Sequence, residues 1–137
     1  MKTVVQELAV AFDARERCNK TGNKEWEARW NERIAQLIDT LPQGSGFDTR
    51  YAEGDVTMDK RGRLVIQTSF HHMNDGGYYD GWTEHTVTVS PAFDGIDIKV
   101  SGRDRNDIKN YIAEVFNDAL MAEAPDMPGH NAEEAKS

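Results

Sequence analysis

A single cysteine, Cys18, leaves this chain without an internal disulfide. No hydrophobic run approaches the ~18 residues that a membrane helix needs, so no membrane contact is expected. Gln6, Glu7 and Asp13 interrupt the N-terminal stretch, and no signal-peptide core is expected there. The expected location is therefore cytoplasmic, in a bacterium or in an infected host cell. A basic block of the kind that follows a phosphate backbone is also missing, which disfavours nucleic acid as a partner. There is no HExxH motif, no cysteine ligand set and no nucleophile elbow.

What is present is a globular composition. The chain has 137 residues, 38% apolar and 29% charged, which fits one domain with a real core. A chain of this size buries roughly two thirds of its unfolded surface. Its net charge is −8. Residues 1–46 balance, with seven basic and seven acidic groups, so the excess lies further on. Residues 47–102 carry a net −4 and residues 103–137 another −4. That balance favours solubility, and it also suits a basic partner surface.

Periodicity gives the elements. Val4, Val5, Leu8, Ala11 and Phe12 mark a helix over 3–20 that Thr3 can cap. Turn residues follow at 19–23. Trp26, Trp30, Ile34, Leu37, Ile38 and Leu41 form one stripe of a second helix over 24–41, with both tryptophans as core anchors and Arg29 and Arg33 on the surface. Gly44-Ser45-Gly46 comes after a helix and before a strand, the reverse of a phosphate loop, and reads as a connector. A weak strand over 50–59 leads to a turn at 60–63. Strict alternation marks strands at 63–73, 82–90 and 96–100, with Pro91 ending the middle one. Asp104 and Asp107 resemble a capping box ahead of a last helix running to about Met121.

The expected fold is α+β, in the order α-α-β-β-β-β-α. Its two layers are a four-stranded antiparallel sheet and helices covering one face. Residues 1–124 form the expected single domain. Residues 125–137, polar and containing proline and glycine, form an expected disordered tail.

Three of the four histidines fall within Phe70–His85, Phe-His-His-Met-Asn-Asp-Gly-Gly-Tyr-Tyr-Asp-Gly-Trp-Thr-Glu-His. Alternation fixes faces but leaves register free in two-residue steps. Pairing Met73 with Trp82 sets His72 opposite Thr83, His71 opposite Glu84 and Phe70 opposite His85. His71, Trp82 and Glu84 then share the open face, and His72 with His85 lie under the helices. A structural role for the imidazoles is the simplest reading. His72 and His85, with Asp75 or Asp80, are weak candidates for a metal, but His71 and His72 point to opposite faces. A general acid–base role for His71 or His85 lacks a partner nucleophile. The expectation is no catalytic residue, no metal and no cofactor.

The connecting loop, 74–81, is long for a hairpin and carries aromatic residues. Tyr78, Tyr79 and Trp82, rimmed by Asp75, Asp80, His71 and Glu84, form the candidate binding surface for another protein. Arg103 and Arg105, at the start of the last helix, are the candidate anion site.

Three word strings carry a resemblance: Leu-Pro-Gln-Gly-Ser-Gly-Phe-Asp at 41–48, the stretch at 70–85 and Gly-Arg-Asp-Arg-Asn-Asp-Ile-Lys at 102–109. With them the chain resembles a group of small proteins of uncharacterised activity encoded by tailed bacteriophages and prophages, over roughly residues 30–120. The resemblance implies no catalytic residue. It implies an early accessory protein in bacterial cytoplasm, and small acidic phage proteins often bind a host protein. The sequence therefore predicts a non-enzymatic protein-binding module acting on a host or phage protein. The alternative is a metal- or nucleotide-binding enzyme centred on residues 71–85.

Overall fold

Thr3 starts the first helix by a reciprocal exchange. Its hydroxyl accepts the Gln6 N–H at 3.3 Å, and Gln6 Oε1 accepts the Thr3 N–H at 3.0 Å. The structure, a computed structural model, describes residues 2–44, 46–47, 50–73, 76–77 and 79–127, with the backbone alone for Met73, Tyr79 and Asp80. The chain divides into two compact units: residues 1–40 with 120–137, and residues 41–119. No helix among the described residues is long and apolar enough to cross a membrane.

The first unit holds α1 (Val4–Thr21) and α2 (Lys24–Ile38). Gly22 ends α1 with φ 74°, and Asn23 caps α2 by accepting the Trp26 N–H. Val4, Leu8, Ala11 and Phe12 are buried on α1, as the spacing predicts. The buried face of α2 differs from expectation: it is Arg33, Ile34 and Leu37, on the later turns. Trp26, expected in the core, is exposed, and the Arg29 guanidinium lies 4.8 Å above its ring. Arg33, expected on the surface, is buried because Glu7 of α1 meets it at 3.0 Å. Arg33 also donates to Gln36 Oε1 and to the Pro125 carbonyl, and Gln36 donates to the Asp126 carbonyl. Pro125 and Asp126, assigned by sequence to the tail, are thus hydrogen-bonded. The rest of that tail, from Pro128, lies outside the described residues. Lys2 and Val4 bond residues 124 and 122 in an antiparallel bridge.

The second unit contains β1 (Val56–Met58), β2 (Leu64–Met73), β3 (Tyr79–Ala92) and β4 (Gly95–Ser101), followed by α3 (Asn106–Met121), whose last residues belong to the first unit. The sheet order is β1-β2-β3-β4, antiparallel throughout. This is the expected α+β fold in the expected element order. Asp59 shapes the β1–β2 turn, accepting the Arg61 and Arg63 N–H groups and pairing with the Arg63 guanidinium. One sheet face carries Leu64, Ile66, Val87 and Val89, all buried. α3 buries Ile112 and Phe116, and Phe47, edge-on to both Phe70 and Phe116 at 5.3 and 5.7 Å, links α3 to β2.

Two strand expectations need correction. Thr68 pairs with His85 and Phe70 with Thr83, so β3 is displaced by two residues from the expected register. A two-residue slip keeps every side chain on its face, so alternation cannot detect it. The slip shortens the connection to residues 74–78, because β3 already begins at Tyr79, and an irregularity between His71 and Met73 absorbs the difference. Pro91 does not end β3, which continues to Ala92 and pairs Pro91 with Ile96. Pro91 is tolerated because β2 stops opposite Val89, so its missing N–H faces no strand.

Candidate functional site

Strand alternation sets His72, Thr83 and His85 on the helix side of the β2–β3 hairpin. Asp104, two residues ahead of α3, reaches the same point. The Thr83 hydroxyl donates to Asp104 Oδ2 at 2.8 Å. His85 Nε2 lies 3.1 Å from that oxygen, and so does His72 Nε2. His72 Nε2 is also 2.8 Å from the Thr83 hydroxyl. Asp104 Oδ1 accepts the Arg105 N–H. Thr83, with its own proton given to Asp104, can accept from His72, and His85 can donate to Asp104. Each proton in this network then has an acceptor.

His85 is fully buried, and its Nδ1 has no partner among the described residues. That places the ring proton on Nε2, where Asp104 takes it. The other tautomer would bury an unpaired N–H. Gly102 makes the site possible. A Cβ at residue 102 would overlap His85 Nδ1 and lie 2.8 Å from the Glu84 carbonyl oxygen. Burial pushes the Asp104 carboxyl up. Bonds from Thr83, the Arg105 N–H and His85, with the charge of His72 nearby, outweigh it and hold the carboxyl below its ordinary range.

The sequence reading brought His72, Thr83 and His85 to one face but gave Thr83 no role and missed Asp104. It assigned Asp104 to a helix cap. α3 begins at Asn106, so Asp104 lies one residue outside the cap position, and its side chain serves the imidazoles instead. The nearest local signal is Gly102, two residues before Asp104, which the structure holds at φ 143°. Among the described residues no group of His, Cys, Asp or Glu is arranged to hold a metal ion. The Nε2 atoms of His72 and His85, the Thr83 hydroxyl and Asp104 Oδ2 sit at hydrogen-bond spacing from one another.

The open face of the hairpin has a different character. His71 pairs directly with Trp82, not with Glu84, and their ring centroids lie 6.5 Å apart. Glu84 pairs with Ser69. The expected His71–Glu84 cross-strand pair is therefore corrected by the same two-residue slip. Trp82 is 59% exposed, and Glu84 beside it is exposed. Asp75 and Tyr78 lie outside the described residues, as do the side chains of Tyr79 and Asp80.

Arg103 and Arg105, the expected anion site, are both exposed on the approach to α3. Arg105 pairs with Asp107 at 3.4 Å with both side chains exposed, and Arg103 is exposed with no ion pair among the described residues. Gly44 and Phe47 exchange N–H···O bonds, and the Gly46 carbonyl accepts the His71 N–H. The Gly44 and Phe47 amides are thus spent within the connector. In the first unit a cleft of about 470 Å³ is lined by Lys2, Trp30, Arg33, Glu123 and Met127, a feature with no sequence motif. No family model, curated protein or solved structure matches the chain.

Proposed function

We propose that this chain is a non-enzymatic protein-binding module whose contact surface is the open face of the β2–β3 hairpin. The observation that carries the reading is Trp82: a large aromatic ring, mostly exposed, flanked by His71 and Glu84 on a regular strand. An aromatic anchor with a polar rim is the composition of an interface hot spot. The opposite side of the same strands is fastened to Asp104, so the hairpin presents Trp82 with little conformational freedom to lose on binding. The net charge of −8 favours a partner surface that is basic around its indole pocket. The phage resemblance supplies the context, in which the partner is a host or phage protein in bacterial cytoplasm.

The test compares proteins captured from infected cells by the wild type, Trp82→Ala and Trp26→Ala. Trp26 is also exposed but lies on α2, so it controls for loss of any surface indole. A partner lost with Trp82→Ala and retained with Trp26→Ala is the expected result. The same captured set for all three sinks the reading.

The second reading is a metal- or nucleotide-binding enzyme centred on this hairpin. One observation favours it: His72 is 24% exposed at its side chain while its Nε2 is held by the Thr83 hydroxyl beside the Asp104 carboxylate, much as an acid–base histidine is oriented. Elemental analysis of untagged protein addresses the metal form. Stoichiometric metal that disappears in His72→Ala supports it, and a folded metal-free protein removes it. Nucleotide stabilisation in a thermal-shift panel addresses the other form, at about 2.7 kcal/mol for ligand at 100 times its Kd.

A further inference from the structure

β4 is the last strand of the sheet, so one of its edges faces no strand among the described residues. Its hydrogen-bonding parity follows from a single contact. Gln67 donates its N–H to the Asp55 carbonyl, toward β1, so the even-numbered residues of β2 face β3. Carrying that alternation through the β2–β3 and β3–β4 registers turns Gly95, Asp97, Lys99 and Ser101 toward β3. Ile96, Ile98 and Val100 therefore aim their N–H and C=O groups outward. Among the described residues no backbone bond from outside the sheet reaches them.

The side chains of the same three residues are also incompletely covered. Ile98 pairs with Val89 and Val100 with Val87. Val87 and Val89 are buried, whereas Ile96, Ile98 and Val100 are half-buried. On the other face Asp97 and Lys99 are exposed. An edge strand of seven residues with open N–H and C=O groups is a template for pairing with another chain.

We infer that β4 is the interface for a second copy of this chain, paired antiparallel about a two-fold axis through Ile98. That axis sets Ile98 against the partner's Ile98, and Ile96 against the partner's Val100. Each such facing pair has both outward groups free and exchanges two N–H···O bonds. It also sets Asp97 against the partner's Lys99, and Lys99 against the partner's Asp97. Opposite charges directly across a ladder stabilise it, and like charges destabilise it. An axis through Asp97 or through Lys99 keeps the hydrogen bonds but opposes like charges. The sequence Ile-Asp-Ile-Lys-Val is therefore self-complementary in one register, as an isologous contact requires. This surface is separate from the hairpin face around Trp82, and neither proposal depends on the other.

The experiment uses the full chain and charge exchange. Sedimentation equilibrium of the wild type is expected to show a monomer–dimer equilibrium. Asp97→Lys alone and Lys99→Asp alone each oppose like charges and are expected to weaken self-association by at least about tenfold, the factor that 1.4 kcal/mol produces. Mixing the two variants restores both opposite-charge pairs and is expected to give a heterodimer at wild-type strength. A variant that merely failed to fold would not recover on mixing. A wild type that stays monomeric at all accessible concentrations overturns the inference. So does a dimer that either single substitution leaves intact, or a mixture that does not associate.

Discussion

Asp104 Oδ2 lies 3.1 Å from His85 Nε2, and through that contact the approach to α3 is fastened to the middle of β3. The two groups are 19 residues apart in the chain, and both side chains are almost shut off from solvent. Asp104→Ala removes the acceptor of the Thr83 hydroxyl and leaves the His85 N–H to the Thr83 oxygen, 3.1 Å away. The expected loss is about 2 kcal/mol of unfolding free energy, seen as a lower urea midpoint at unchanged slope. Asp104→Asn keeps an acceptor oxygen and is expected to lose about 1 kcal/mol.

Asp104 also sets an acid limit. Its folded carboxyl titrates below the unfolded value of 3.8, so the stability it contributes is fully present above that value. That stability is lost as pH falls through the lower folded value. Unfolding free energy measured at decreasing pH is expected to fall in this window, and to fall less steeply for Asp104→Asn. Equal acid slopes for the two proteins would contradict the assignment. Asp59, held low first by the Arg63 backbone N–H, adds a fall of the same sign to both.

Gly102 and Gly62 separate backbone conformation from crowding. Both have positive φ, 143° and 78°. A Cβ at residue 62 meets nothing within 4 Å, whereas one at residue 102 meets the His85 ring and the Glu84 carbonyl. Gly62→Ala is expected to cost about 1 kcal/mol from backbone strain alone. Gly102→Ala is expected to cost clearly more, because the carbonyl cannot step aside, and to disturb the His85 ring resonances in NMR spectra.

The Glu7–Arg33 pair is the corresponding test in the first unit. Arg33 is 5% exposed at its side chain, and Glu7 is its charged partner at 3.0 Å. Glu7→Ala leaves a buried guanidinium whose remaining partners, Gln36 and the Pro125 carbonyl, are neutral. The expected cost is about 3 kcal/mol. Restoring a negative charge with Glu7→Asp is expected to recover part of it, and urea unfolding of the three proteins reads this directly.

Tyr51 predicts the alkaline behaviour. Its hydroxyl donates to the Pro42 carbonyl at 3.0 Å. Burial raises its pKa from 10.0 to about 12, Asp55 adds to the rise, and a hydrogen bond with Thr68 opposes it. The stability tied to neutral Tyr51 is fully present below pH 10 and is lost as pH rises toward 12. Phenolate absorbance is expected to show a late step that Tyr51→Phe removes.

Much of the architecture was written locally. Thr3 with Gln6 marks a helix start, Gly22 its end, and the alternation of Leu64, Ile66 and Thr68 marks a strand with one dry face. These signals repeat at 3.6 or 2 residues, so a short window of chain contains them. The same windows failed where burial depended on a distant group. Trp26 matched the apolar stripe but stays exposed, with Arg29 lying over its ring, and Arg33 looked solvated until Glu7 of the neighbouring helix met it.

The amino-acid sequence by itself determined the element order, the antiparallel sheet, and which hairpin residues share a face. It placed His72 and His85 together and His71 with Trp82 and Glu84, because side-chain direction alternates whatever the register. Tertiary structure decided the rest. A slip of two residues preserves every face, so only the fit of the β2–β3 connection and the core could pair Thr68 with His85 and His71 with Trp82. Asp104 joins Thr83 across 21 residues of chain, and no local pattern encodes a contact made by folding a helix back onto a sheet.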